Sequence, residues 1–265
     1  MAGQATARRG AGQARKSGPS GPRRPGRGRL RLPLRPRALL ILAAVVVLGA
    51  AATWVLYGST WLRVERVKTT GTEVLSTAEV EAAAKVPVGS PLVSVDTGAI
   101  EARLLHALPR IDSVDVGRSW PHGITLEVTE RKPVLLMRKG AKFVEVDAKG
   151  VRFATVAKAP AGVPLLELNP DNSPSLRRFP VDALLREAVK VTGELPAPVA
   201  KDTRLVRVTS YDAVSLELSR GRTVLWGSDE DGELKARTLV ALMKAAARAR
   251  YFDVSAPTAP AVSGS

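Results

Sequence analysis

An unbroken apolar run from Ala38 to Tyr57, ALLILAAVVVLGAAATWVLY, carries no charged side chain, and it matches the roughly 20 residues that a helix needs to cross a bilayer core. A chain built around such a run must work on both sides of a membrane. Its orientation is read from the flanks. Residues 1–37 hold eleven Lys or Arg and no Asp or Glu, and positive flanks stay in the cytoplasm. Most of the formal charge of +15 therefore belongs to the N-terminal tail, and the remainder of the chain is only mildly basic. A cleaved signal peptide is the rival reading, because Gly49, Ala50, Ala51 and Ala52 are small enough to suit a peptidase. Against it, the preceding segment is much longer than a signal's charged region, and the apolar stretch resumes through Trp54–Tyr57. Trp54, Tyr57 and Trp61 suit the outer interface of a membrane, where aromatic rings with polar tips collect.

The tail, residues 1–37, is rich in Gly, Pro, Ser and Arg and has almost nothing to bury before Leu30, so it is expected to be a disordered, cytoplasmic, topogenic segment. No aromatic side chain is interleaved among its arginines to stack on bases, which argues against nucleic-acid binding. The chain has no cysteine, which removes disulfides, thiolate metal sites and cysteine nucleophiles. Beyond the run remain residues 58–265, enough for one or two domains with cores of their own.

From Trp61 the pattern is that of a small α/β unit. Arg63–Thr69 suits a strand, and Gly71 supplies a turn. Ser76 with Glu79 is a capping-box signature that opens a short helix. Asp96 or Thr97 caps a second helix in which Ile100, Leu104, Leu105 and Leu108 line one face until Pro109 stops it. Two alternating runs follow, Ile111–Arg118 and Ile124–Glu130, and they predict a half-buried antiparallel pair of strands. Trp120-Pro121 lies between them and is expected to shape their turn.

Further on, Phe143, Val144 and Val146 lead through Asp147-Ala148-Lys149-Gly150 to a return strand beginning at Val151 and Phe153. Leu184, Leu185, Ala188 and Val189 stripe a helix that starts near Val181 and is expected to end at Gly193. Leu205–Thr209, Val214–Leu218 and Arg222–Trp226 read as a meander. After the acidic loop Ser228–Glu233, a helix presents Leu239, Leu242, Met243 and Ala246 as core. Arg250–Val254 is a final β-prone segment.

The order strand, helix, helix, strand, strand outside a membrane anchor resembles a POTRA domain. Leu108-Pro109-Arg110-Ile111, Arg118-Ser119-Trp120-Pro121 and Leu126-Glu127-Val128-Thr129-Glu130-Arg131-Lys132-Pro133-Val134 together resemble the FtsQ/DivIB family of bitopic cell-division proteins. Lys235, near the start of a helix, and Tyr251-Phe252-Asp253-Val254, in the last strand, also stand where that family has similar residues; Ser255 departs from it, an Arg being common there. The resemblance implies an α+β fold: a transmembrane helix over 38–57, a POTRA domain over 58–131, an FtsQ-type β domain with flanking helices over 132–256, and a flexible C-terminus over 257–265. It also implies a protein concentrated at the division septum, whose partners are an FtsB–FtsL-type pair and, through the POTRA domain and the span, other divisome proteins. The resemblance places the FtsB–FtsL-type pair at Arg250, Tyr251, Phe252, Asp253 and Val254, and a strand at a sheet margin has the unpaired backbone groups to accept it. Trp120, Pro121, Glu130, Arg131 and Pro133 are expected to be structural, with Glu130 and Arg131 in ion pairs where one domain passes to the next.

No catalytic constellation is apparent. His106 and His122 are the only histidines, and neither belongs to an HExxH, GxSxG or phosphate-loop motif. The acidic cluster Asp229, Glu230, Asp231 and Glu233 lacks the spacing of a calcium loop and suits a helix N-terminus. No cofactor or metal is expected. The resemblance implies a non-enzymatic division scaffold that links cytoplasmic-side and extracytoplasmic division proteins and helps control septal peptidoglycan synthesis by binding its partners. The alternative is a membrane-tethered cell-wall or protein-processing enzyme whose catalytic residues carry no recognisable motif.

Overall fold

The computed structural model describes residues 36–168 and 180–264. The tail expected to be disordered lies outside them for all but Pro36 and Arg37. Helix α1 (Pro36–Gly58) contains the apolar run and buries none of its side chains within the protein. It is the one described helix long and apolar enough to cross a membrane. A surface apolar all round is stable in lipid rather than in water.

After a single 3-10 turn at Thr60–Leu62, the first globular unit has the elements β1 (Arg66–Thr70), α2 (Thr77–Ala84), α3 (Thr97–Ala107), β2 (Ile111–Ser119) and β3 (Gly123–Glu130). The capping box forms as expected: Ser76 Oγ accepts from the Glu79 amide, and the Glu79 carboxylate accepts from the Ser76 amide. Asp96 caps α3 through the Ala99 amide at 2.9 Å. The sheet order is β1-β3-β2, with β2 antiparallel to β3 and β1 parallel to it. Ile124, Leu126 and Val128 point to the helix side and pack with Val80, Leu92, Ile100 and Leu104. Leu105 departs from the expected stripe and faces solvent. It sits one residue beyond the buried Leu104, about 100° round the helix, and only the i, i+4 pair can face one sheet. The Trp120-Pro121 peptide at the β2–β3 turn is cis.

The second unit is a sheet of nine described strands: β4 (Pro133–Lys139), β5 (Lys142–Asp147), β6 (Arg152–Val156), β7 (Leu165–Leu168), β8 (Thr203–Ser210), β9 (Ala213–Leu218), β10 (Arg222–Gly227), β11 (Tyr251–Asp253) and β12 (Ala261–Ser263). Their order is β12-β11-β10-β9-β8-β7-β4-β5-β6. Three helices accompany them, α4 (Val181–Glu194), α5 (Ala197–Asp202) and α6 (Gly232–Ala245). Helix α4 runs one residue past Gly193. Leu184, Leu185, Ala188 and Leu239 pack against Leu135, Val206, Leu216, Trp226 and Phe252 to form the core.

Ion pairs join the two units. Arg131 pairs with Asp112 at 2.9 Å and with Asp147, while Arg110 meets Glu145 at 2.5 Å and Lys149 meets Asp112 at 2.7 Å. Asp112 and Arg110 belong to the POTRA-like unit, and Asp147, Glu145 and Lys149 to the sheet of nine. Arg131 thus bridges the units. Glu130 behaves differently from expectation and joins no ion pair among the described residues. Its buried carboxylate accepts hydrogen bonds from the backbone amides of Glu73, Val74 and Leu75 at 2.8–3.0 Å. The turn after β1 exposes unpaired amides that an anion satisfies better than a neutral acceptor does, so the side chain turns inward, away from the cations. Pro133 opens β4, a place where its missing N–H breaks no ladder bond.

Candidate partner-binding margin

The chain arrives at the end of the large sheet by a crossover. Strand β10 runs antiparallel to β9, α6 carries the chain back along the sheet, and β11 then pairs parallel to β10 with Thr223, Val224 and Leu225 opposite Tyr251, Phe252 and Asp253. The Thr223 amide donates to the Arg250 carbonyl at 2.7 Å and the Val254 amide to the Leu225 carbonyl at 3.0 Å. Strand alternation buries Phe252 and Val254 against Trp226 and Leu239, and turns Tyr251 outward. At the start of α6, Lys235 is only 2% exposed, and its ammonium donates to the Ser228 carbonyl at 2.9 Å. It fixes the loop between β10 and α6, and burial pulls its pKa down while the acids of that loop oppose the shift.

The expectation that Tyr251–Val254 forms the open edge is corrected by β12. Residues 261–263, placed in a flexible end by sequence, pair antiparallel with β11, with Tyr251 opposite Ser263, Phe252 opposite Val262 and Asp253 opposite Ala261. Arg250 donates to the Gly264 carbonyl at 2.8 Å. Sequence gave no signal for this strand, since it has three residues and all are exposed; no hydrophobic pattern is needed to hold it. In an antiparallel pair the N–H and C=O of one residue point the same way. Ser263 faces β11, so Val262 presents its N–H and C=O away from the sheet. A groove of about 550 Å³ lies beside this margin, lined by Ala245 at the end of α6, the four residues that follow it, Val262 and Ser263 of β12, and Gly264.

Ser255, the departure from the family's usual Arg, donates through its amide and hydroxyl to Asp253 Oδ1 at 3.0 and 2.7 Å. It also lies against Gly227, where an added Cβ would come within 2.9 Å of the Ser255 Cβ. Ser255 thus closes the turn after β11 and leaves little room there. His106 is on α3, and His122 is in the β2–β3 turn beside Trp61. No group of three or more His, Asp or Glu among the described residues could hold a metal ion.

Residues 62–131 match the family model "POTRA domain, FtsQ-type", and residues 135–255 match "Cell division protein FtsQ/DivIB, C-terminal". The chain belongs to the FtsQ/DivIB family of cell division proteins. Its FtsQ relatives include the cell division protein FtsQ of Streptomyces venezuelae, 63% identical across 95% of this chain and 97% of that one. The cell division protein FtsQ of Streptomyces griseus is 72% identical across 78% of this chain and 100% of that one. A solved structure of the major extracytoplasmic domain of DivIB from Geobacillus stearothermophilus matches 45% of this chain and 97% of that one, at 17% identity and a TM-score of 0.33. The two FtsQ family models divide the chain where Arg131 and Pro133 join the units, and the C-terminal model ends at Ser255, before β12.

Proposed function

We propose that this FtsQ-family chain is a non-enzymatic scaffold of the divisome, anchored by α1 with its N-terminus in the cytoplasm and its two globular units outside. At the septum it holds an FtsB–FtsL-type pair and helps control septal peptidoglycan synthesis by positioning those partners. The observation that carries this reading is the margin itself: a three-residue strand, exposed throughout, whose Val262 offers a donor and an acceptor to an incoming strand. Strand addition supplies affinity through such backbone groups, and neighbouring pockets read alternate side chains. Arg250–Val254 is the strand that sets the register of this margin, and the groove at Ala245–Ala249 receives a side chain of the added strand.

The test uses the full chain in lipid nanodiscs and the extracytoplasmic parts of the cognate FtsB–FtsL pair. Val262→Pro removes the outward donor while leaving the bonds between β11 and β12 in place, since Pro is tolerated on an edge strand whose N–H faces solvent. Loss of one strand-pairing hydrogen bond is worth about 1 kcal/mol, so binding weakens about five-fold. Unchanged binding by the folded variant rules out addition at the outer edge of β12. Equal or tighter binding after removal of residues 261–265 would show that the partner replaces β12 along Tyr251–Asp253.

A further inference from the structure

The β2–β3 turn of the POTRA domain returns to the place where the chain leaves α1. From Gly58 to Trp61 the backbone spans at most about 10 Å, comparable to a headgroup layer about 5–8 Å thick on each side of the bilayer core. Ser59 caps the turn that sets Trp61, accepting from the Trp61 amide at 3.0 Å. The Trp61 ring meets the His122 ring edge-on with centroids 6.4 Å apart. The His122 carbonyl accepts from the amides of Glu65 and Arg66 at 2.9 and 3.2 Å, tying the turn to the first residues beyond the helix. Two large rings are left in solvent here, Trp61 at 66% and Trp120 at 52% exposed.

Beside Trp120 is a cavity of about 240 Å³ lined by Arg66, Lys68, Ser119, Pro121 and His122 among others, with no carboxylate in its wall. His122 keeps a buried Nδ1 that has no hydrogen-bond partner. On the same open face of the sheet the acids stand at the other end, where Asp115 lies opposite Glu127 and Glu127 opposite Thr70, whereas Arg66 and Lys68 lie opposite Gly123 and Thr125. One end of the sheet is thus cationic and aromatic, and it is the end that meets the residues just after Gly58.

We infer that this basic, tryptophan-flanked pocket binds the phosphate of an anionic phospholipid headgroup in the adjacent leaflet and so seats the POTRA domain on the membrane. The inference needs α1 to lie in the bilayer, and it is independent of the β12 margin. Trp61 and Trp120 take the interfacial depth that such rings prefer. Arg66 and Lys68 supply the charge, each basic residue at an anionic surface being worth about 1 kcal/mol. Free inorganic phosphate shares the headgroup's chemistry but is not held at the bilayer surface.

Because the chain has no cysteine, a nitroxide attached at Glu65→Cys, an exposed position beside the pocket but outside its wall, is unique, and Asp115→Cys gives a control at the far end of the sheet. Full-length protein is placed in nanodiscs of phosphatidylcholine alone or of equimolar phosphatidylcholine and phosphatidylglycerol. The oxygen and nickel accessibilities of the label are read by power saturation. In anionic discs the label at 65 reports interfacial depth and the one at 115 reports water, whereas in neutral discs the label at 65 shifts toward water. Arg66→Gln with Lys68→Gln, both at exposed positions, lowers the docked-to-undocked ratio roughly 30-fold, the equivalent of the two basic residues at an anionic surface. Circular dichroism confirms that this variant keeps its fold. Equal water accessibility at 65 and 115 in anionic discs overturns the inference, as does a docked label indifferent to lipid charge or to the double substitution. Release of the label by inorganic phosphate at constant ionic strength would assign the pocket to free phosphate instead.

Discussion

Glu187 on α4 provides the sharpest quantitative test of the large domain. It is 4% exposed, and its Oε1 has no hydrogen-bond partner. Around it stand Lys190 and Glu194 of the same helix, Asp229 of the loop after β10, Lys235 of α6 and Tyr211 of the β8–β9 turn. Lys190 pairs with Asp229. Burial, and after it the Asp229 carboxylate, push the Glu187 pKa up from 4.5 to about 7, while the Asp229 amide and Lys190 oppose the shift. The folded state therefore holds a proton that the unfolded chain gives up. The stabilisation is complete below pH 4.5, falls as pH rises through the window to about 7, and is absent above it. A shift of that size corresponds to about 3 kcal/mol, and screening through the exposed side of the Lys190–Asp229 pair reduces it to about 1–2 kcal/mol. Glu187→Gln is neutral at every pH. In chemical denaturation followed by the fully buried Trp226, the variant should match the wild type at pH 4.5 and exceed it by about 1–2 kcal/mol at pH 8. A difference that stays constant across this range, or a variant weaker at pH 8, would refute the assignment.

Two further substitutions test the POTRA domain and its junction. Glu130→Ala leaves the amides of Glu73, Val74 and Leu75 without their acceptor and should cost about 3 kcal/mol; a thermal melt unchanged within about 2 °C would contradict the role given to the carboxylate. Arg131→Met keeps the length of the side chain but breaks its contacts with Asp112 and Asp147. It should loosen the two domains without unfolding either, seen as faster proteolysis between Glu130 and Pro133 with unchanged far-ultraviolet dichroism, and equal proteolysis would show that the junction does not depend on Arg131.

The elements that the sequence revealed are those with a local cause. The capping box at Ser76 and Glu79, the alternation of Ile124, Leu126 and Val128, and the stripe of α4 each need only neighbouring residues to specify them. The parallel pairings were not legible: β1 on β3, β8 on β7 and β11 on β10 join segments separated by helices, and β7 reaches β4 only after the β5 and β6 strands have intervened. Glu130 reads from sequence as an ion-pair residue because it stands where one domain passes to the next, whereas its partners are amides 55–57 residues away. Tyr251–Val254 was legible as a strand through the burial of Phe252 and Val254. Its status as an edge was not, because β12 is held by backbone bonds alone and has no side-chain pattern to announce it. The FtsQ-type motifs located both domains, and those motifs do not extend to the strand that completes the margin.

The crossover through α6 has a bearing on the order in which the protein is assembled. In the proposed topology synthesis and export run from the N-terminus, so β11 and β12 emerge after every other described strand, when the POTRA domain and the strands from β4 to β10 are already outside. Until then Val224 and Trp226 lack the cover of Phe252 and Val254, and the margin has no register to offer. If partners dock at this margin as proposed, a chain still passing through its export channel is anchored and partly folded yet cannot capture a partner strand, and docking is reserved for molecules whose folding has reached its final strands.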